Sequence, residues 1–150
     1  MKDTNRIDHF VWAVRPENVA GYLAQLSDLF HTEFEEYDGK SGARILISWD
    51  TGFEFAVPNG EGPRGDDLRA YLDKNGEGLF AVVFRVPDIE SASKRAAQLG
   101  WPVGDGVLGS EEADKGWTRV TRVREQFIGP FLNTMLLYGQ IDYADGDEER

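Results

Sequence analysis

Two stretches of this chain repeat one pattern. His9-Phe-Val-Trp-Ala-Val14 and Ala81-Val-Val-Phe-Arg-Val86 lie 72 residues apart, and each runs into a proline, an acidic residue and a segment of helical periodicity. Such a repeat restricts a chain of 150 residues to two small duplicated units rather than two large domains.

The first unit opens on a β-branched and aromatic run from Arg6 to Val14 that stops at Arg15-Pro16, which predicts a buried strand. Val19, Tyr22, Leu23, Leu26, Leu29 and Phe30 then recur at steps of three and four, predicting a helix over 16–31 with one apolar stripe; His31 is expected to cap its end. Strand-like runs follow at 33–37, 43–49 and 52–58, separated by turn-rich pieces. Asn59 to Gly65 reads as a linker by composition, and a short helix with Asp66 or Asp67 as N-cap is expected before Gly76.

The second unit starts with the strand-like run Leu79–Val86. Asp88 is expected to cap a helix carrying Ile89, Ala92, Ala96 and Leu99, and strands are expected near 103–108, 117–124 and 131–138. Both halves thus read βαβββ. The boundaries are about 6–58 for repeat one, 59–76 for the linker helix and 77–139 for repeat two, within a single domain over 1–150; residues 140–150 are acidic and read as a solvated tail. The expected fold class is α+β, with the two βαβββ repeats forming a curved mixed sheet around a cleft.

Strand alternation decides which side chains would face that cleft. His9 shares a face with Val11 and Ala13, leaving Phe10, Trp12 and Val14 for the helix side. Glu54 lies opposite Phe53, Phe55 and Val57, and a carboxylate inside so apolar a strand needs a partner. Arg122 and Arg124 gather positive charge on one late strand and share a face with Val120 if that strand has no bulge; they could grip a ligand carboxylate or phosphate through paired donors.

Composition removes several function classes. Sixteen Lys+Arg against 27 Asp+Glu leave a net charge of -11, whose field repels phosphate backbones and anionic lipid, so neither nucleic acid nor membrane is an expected partner. Without cysteine there is no disulfide, zinc-thiolate site or thiol nucleophile, and with no apolar leader or spanning segment a cytoplasmic location is expected. Gly60, Gly62 and Gly65 do not form a phosphate loop, because no strand leads into them and no Lys-Ser or Lys-Thr follows. Two histidines, one at a helix end, support no Ser-His-Asp triad.

The duplicated plan, the opening IDHFVWAV, the strand FEFAVP and the stretch DDLRAYLDKNGEGLFAVVFRVPDIESASKRAAQLGWPV together resemble the vicinal oxygen chelate superfamily, which includes glyoxalases, bleomycin-resistance proteins and dioxygenases. Within it the likeness is nearest to methylmalonyl-CoA epimerases and covers roughly residues 6–138. The resemblance implies a divalent metal such as Zn, Mn, Fe, Co or Ni in the cleft, with His9 and Glu54 at two of the four ligand positions. At the other two stand Ala81 and Met135, or Thr134 in a register one residue off, and they offer no good donor.

Two functions are therefore expected to compete. One is an isomerase or lyase of the vicinal oxygen chelate type, acting on a small oxygenated anionic metabolite through His9 and Glu54, with a degenerate metal site. The other is a non-catalytic small-molecule binder of the bleomycin-resistance type, with Ala81 and Met135 making one wall apolar. Extended sheet edges together with the resemblance also imply a homodimer.

Overall fold

Strand pairing, not helix packing, organises each half of the chain. The computed structural model describes residues 6–39, 41–105, 108–110 and 117–145, and these fall into two units, one His9–Phe80 and the other 81–145 together with 6–8. Both have the predicted βαβββ order, so the α+β expectation holds. Among the described residues no helix is long and apolar enough to cross a membrane.

In the first unit β1 (Arg6–Ala13) leads through a single 3-10 turn, Pro16–Asn18, into α1 (Val19–Phe30). Three strands follow, β2 (Glu35–Gly39), β3 (Ala43–Ser48) and β4 (Phe53–Pro58), and then α2 (Pro63–Asn75). The strands lie in the order β2-β3-β4-β1, with β1 parallel to β4 and the other pairs antiparallel.

One apolar layer joins α1 to this sheet. Val14, Val19, Leu46, Phe55 and Val57 are buried together, with Trp12, Tyr22, Leu23, Leu26 and Phe34 packed around them. Each such burial is worth about 1.5–3 kcal/mol, so the layer dominates the cohesion of the unit. The apolar stripe is shorter than its periodicity predicts, because Leu29 is 68 % exposed and Phe30 46 % exposed. Phe30 still touches Phe53, with ring centroids 5.7 Å apart. His31 caps α1 as expected, in the left-handed conformation with φ of 49°.

The second helix begins earlier than the Asp66 or Asp67 cap predicted. Pro63 occupies its first turn, where a missing N–H costs nothing, and Gly62 precedes it at φ of 147°. The supposed linker is in fact a packed seam: Gly65 donates its N–H to Ser41 O at 3.0 Å and Asn59 donates to Gly42 O at 2.8 Å. A Cβ at Gly65 would lie 2.3 Å from Gly42 O, so only glycine fits.

Glu77, just after α2, ties that connection to the start of α1. Its carboxylate accepts from Arg15 N at 2.8 Å, Asn18 Nδ2 at 3.0 Å and Tyr22 Oη at 2.7 Å. Burial pushes the Glu77 carboxyl up, but those three donors and the Arg15 charge outweigh it and hold the pKa below the ordinary carboxylate value.

The second repeat, whose first strand begins three residues before the unit boundary, contains β5 (Gly78–Arg85), α3 (Ile89–Gln98), β6 (Leu108–Ser110), β7 (Val120–Phe131) and β8 (Thr134–Tyr143), ordered β5-β8-β7-β6 with β5 parallel to β8. Asp88 caps α3 as predicted, accepting from Ser91 N at 3.1 Å.

The later strands depart from their predicted limits. Residues 101–105 are not strand, and β6 starts at Leu108, where the expected strand was to end. Gly129 and Pro130, which fall between the strands expected near 117–124 and 131–138, lie inside β7 because a bulge after Phe127 absorbs them, and the hairpin turns at Leu132, with φ of 52°. The acidic tail also starts later than 140. β8 runs on to Tyr143, burying Ile141 and Tyr143 and joining Tyr143 Oη to Asp8 Oδ2 at 2.7 Å; residues 146–150 lie outside the described residues.

Two outcomes test this packing. Gly65→Ala should destabilise the protein by about 1–3 kcal/mol in urea unfolding, since the added methyl must displace backbone. Glu77→Gln should cost about 1–2 kcal/mol at neutral pH. Because the folded-state pKa of Glu77 is depressed, its stabilisation is complete above the unfolded carboxylate pKa and is lost as pH falls through the folded value. The gap between wild type and variant in urea unfolding should therefore close on acidification below about pH 4.

Candidate functional site

The pleat of the first unit sorts its polar side chains onto one face. In β1 and β4 the register sets Val11 opposite Glu54 and Phe10 opposite Phe53. Across β3 and β2, Glu54 stands in a row with Ile47 and Glu35, and Ala56 in a row with Ile45 and Tyr37. His9, Val11, Glu35, Tyr37 and Glu54 thus share a face, while Trp12, Val14, Phe55 and Val57 take the α1 side. Phe10, expected beneath the helix, is 37 % exposed in the middle of β1.

His9 and Glu54 meet on that polar face. His9 Nε2 lies 3.7 Å from Glu54 Oε1, with the His9 side chain 1 % and the Glu54 side chain 14 % exposed. The separation exceeds a hydrogen bond yet is short enough for one small ligand atom to touch both groups. Arg44, on the other face, is bonded to Glu36.

Three further residues complete this face, none of them singled out by sequence reasoning. Trp49, directly after β3, packs its ring against His9 with centroids 5.6 Å apart and planes at 82°. Its Nε1 donates to Tyr37 Oη at 2.8 Å and to Glu35 Oε2 at 3.2 Å, and Tyr37 Oη donates to the same Glu35 oxygen at 3.0 Å. Burial pushes the Tyr37 phenol well above its ordinary pKa, the Trp49 bond opposes this, and Glu35 and Glu54 add to the rise. Tyr37 therefore stays protonated and remains a donor. Its alternation with Glu35 was the one available signal, too brief in a five-residue strand to separate from surface chemistry.

Ser48 supports the turn that carries Trp49. Its buried hydroxyl meets Thr32 Oγ1 at 2.6 Å and accepts from Thr51 Oγ1 at 2.8 Å. Gly52 then donates its N–H back to Ser48 O at 2.9 Å, closing the turn into β4.

In the second unit the register corrects one sequence assignment. Met135 stands opposite Ala81, and Leu137 opposite Val83. Since Glu54 stands opposite Val11, and Val83 repeats Val11, the counterpart of Glu54 is Leu137 rather than Met135 or Thr134. The consequence for chemistry is unchanged, because neither Leu137 nor Ala81 has a donor atom. Leu137 is buried.

Arg122 and Arg124 are likewise corrected. Register shifts between Val120 and Arg122, so a bulge places the two arginines opposite Asp142 and Gln140, away from the face of Ala81, Met135 and Leu137. Arg122 Nε pairs with Asp142 Oδ2 at 3.0 Å, and Arg124 reaches Glu90 in the first turn of α3. Gln140 on the same side accepts from Ile89 N at 3.0 Å, which identifies it as the α3 side. Arg124 therefore braces α3, Arg122 is paired along β8, and neither lines the face expected of it.

The donor set does not fit the implied metal. A catalytic divalent site keeps about three protein ligands, and the described residues hold no group of three or more His, Cys, Asp or Glu arranged to bind one. His9 and Glu54 supply two.

No family model matches the chain, and no curated protein matches it. Solved structures do. Methylmalonyl-CoA epimerase from Mycobacterium tuberculosis superposes with a TM-score of 0.66 at 19 % identity, covering 89 % of this chain and 86 % of that one. A methylmalonyl-CoA epimerase in complex with methylmalonyl-CoA and an ammonium ion gives 0.70 at 18 % identity over 95 % and 98 %. A variant of the Streptomyces coelicolor epimerase in complex with 2-nitronate-propionyl-CoA gives 0.68 at 18 % over 90 % and 93 %. The chain has the fold of these epimerases, an α+β glyoxalase-like fold.

An arginine paired to Asp142, away from the polar face, should be replaceable without loss there. Arg122→Gln is expected to cost no more than about 1 kcal/mol in urea unfolding, the range of an exposed ion pair. The His9 imidazole resonances of that variant should coincide with those of the wild type.

Proposed function

We propose that this chain is an isomerase or lyase of the vicinal oxygen chelate type, in which His9 and Glu54 act directly as an acid–base pair on a small oxygenated metabolite. The observation that carries this reading is the 3.7 Å approach of a nearly inaccessible imidazole to a partly accessible carboxylate on one sheet face. Solved structures of the same fold that are titled methylmalonyl-CoA epimerases support the reaction class.

The chemistry follows from the two groups. Glu54, the more exposed, takes a proton from the carbon next to a carbonyl; the C–H pair moves into the C–C bond and the carbonyl pair onto oxygen. His9, in the tautomer with hydrogen on Nε2, donates to that oxygen as charge develops. An isomerase then takes a proton from solvent water on the opposite side of the carbon while Glu54 releases to solvent the one it abstracted, whereas a lyase expels a β-substituent from the enolate, the leaving group carrying off the proton held by Glu54. With Arg122 paired to Asp142 and Arg124 to Glu90, an anionic substrate loses the support it had in the sequence.

A second reading, a binding protein of the bleomycin-resistance type, is favoured by Ala81, Met135 and Leu137, none of whose side chains offers a metal donor or an acid. Both readings include a small-molecule partner, a homodimer that covers sheet edges and a cytoplasmic setting.

Deuterium uptake separates them. Methylmalonyl-CoA and a panel of short 2-oxo and 2-hydroxy acids are incubated with the protein in deuterium oxide and followed by proton NMR. Uptake at the α-carbon above the blank, falling by about 100-fold or more in Glu54→Gln and unaffected by chelator, is the expected result. No uptake from any compound, with thermal stabilisation by apolar aromatics alone, would establish the binding reading instead.

A further inference from the structure

We infer that Trp49, held from behind by Tyr37 and Glu35, is a positioning residue that fixes the His9 ring beside Glu54. This deepens the acid–base reading and rests on it. Two ends of one indole carry the inference. At its polar end Trp49 Nε1 is shared between Tyr37 Oη at 2.8 Å and Glu35 Oε2 at 3.2 Å, and the Tyr37 hydroxyl closes the triangle on Glu35 at 3.0 Å. At its apolar end the ring meets the His9 ring nearly at right angles, with centroids 5.6 Å apart.

Neither end has room to yield. Trp49 is 7 % exposed and His9 1 %, so a tilt of the indole must be taken up by the imidazole. Tyr37 remains a phenol at ordinary pH, so its hydroxyl keeps the proton it donates to Glu35. A catalytic imidazole displaced by about 1 Å can lose a factor of about 100 in rate, which is why a buttress outside the reacting pair matters. Trp49 lies at the β3–β4 turn, two strands away from β1 in the order β3-β4-β1, so it reaches His9 across β4 and over Glu54's own strand.

The test uses the isotopically labelled full chain, in which His9 and His31 are the only histidines, and a His31→Gln variant assigns the His9 ring signals. Tyr37→Phe keeps every ring and removes only the hydroxyl. It should move the Trp49 indole N–H signal and the His9 Cε1–H and Cδ2–H signals together, with backbone amides elsewhere unchanged. Glu35→Ala should move the same signals, and Glu35→Gln, which keeps an acceptor oxygen, should leave them near wild type. His9 signals that stay in place in both Tyr37→Phe and Glu35→Ala, while the Trp49 indole shifts, would overturn the inference. If Tyr37→Phe does not fold, the two Glu35 variants decide alone. Absence of deuterium uptake by the wild type would end the acid–base reading and leave the spectra to judge the buttress separately.

Discussion

Everything distinctive about the first unit depends on the two-residue period of a pleated strand. β1 and β4 run parallel in a register that sets Val11 against Glu54, and alternation then sends Trp12, Val14, Phe55 and Val57 to α1 while holding His9 and Glu54 on the other side. The apolar layer under α1 is what keeps that register. A slip by one residue would bring an imidazole and a carboxylate into the helix interface and expose two large aromatics. Hydrophobic packing on one face thus fixes polar geometry on the other, and the His9–Glu54 approach is a by-product of burying Trp12 and Phe55.

The same period explains the failure in the second unit. A single extra residue between Val120 and Arg122 reverses the side on which the following residues of β7 emerge, so two arginines that alternation assigns to one face appear on the other, where Arg122 pairs with Asp142 and Arg124 reaches Glu90 of α3. A second bulge, after Phe127, lets Gly129 and Pro130 remain within the strand. Neither irregularity leaves a composition signature that stands out from ordinary turn residues.

Legibility in the sequence therefore follows the physical range of each signal. Local and repeated signals were readable: the two opening strands, the proline and acid before each helix, the Asp88 cap and the facing of Glu54 all follow from neighbours within four residues. Signals that need a partner strand were not. The counterpart of Glu54 is Leu137, and this becomes visible only once β8 is laid against β5, since counting along the chain allows Met135 equally well. Trp49, Tyr37 and Glu35 come from two strands and a turn, and their hydrogen bonds have no trace in spacing. The exposed Leu29 and Phe30 show the converse error, in which helical periodicity continues beyond the sheet that would cover it.

The glycine seam has an evolutionary corollary. Gly42, Gly62 and Gly65 bring the β2–β3 turn and the start of α2 into backbone contact, so close that a side chain at any of the three would collide with main chain. Two surface connections that ordinarily drift freely among relatives are here bound to each other, and a length change in one must be matched in the other. Variation in this half of the molecule should consequently accumulate elsewhere, on the outer surface of α1 and along the open edge of β2, leaving the segment between β4 and β5 as invariant as an interior strand.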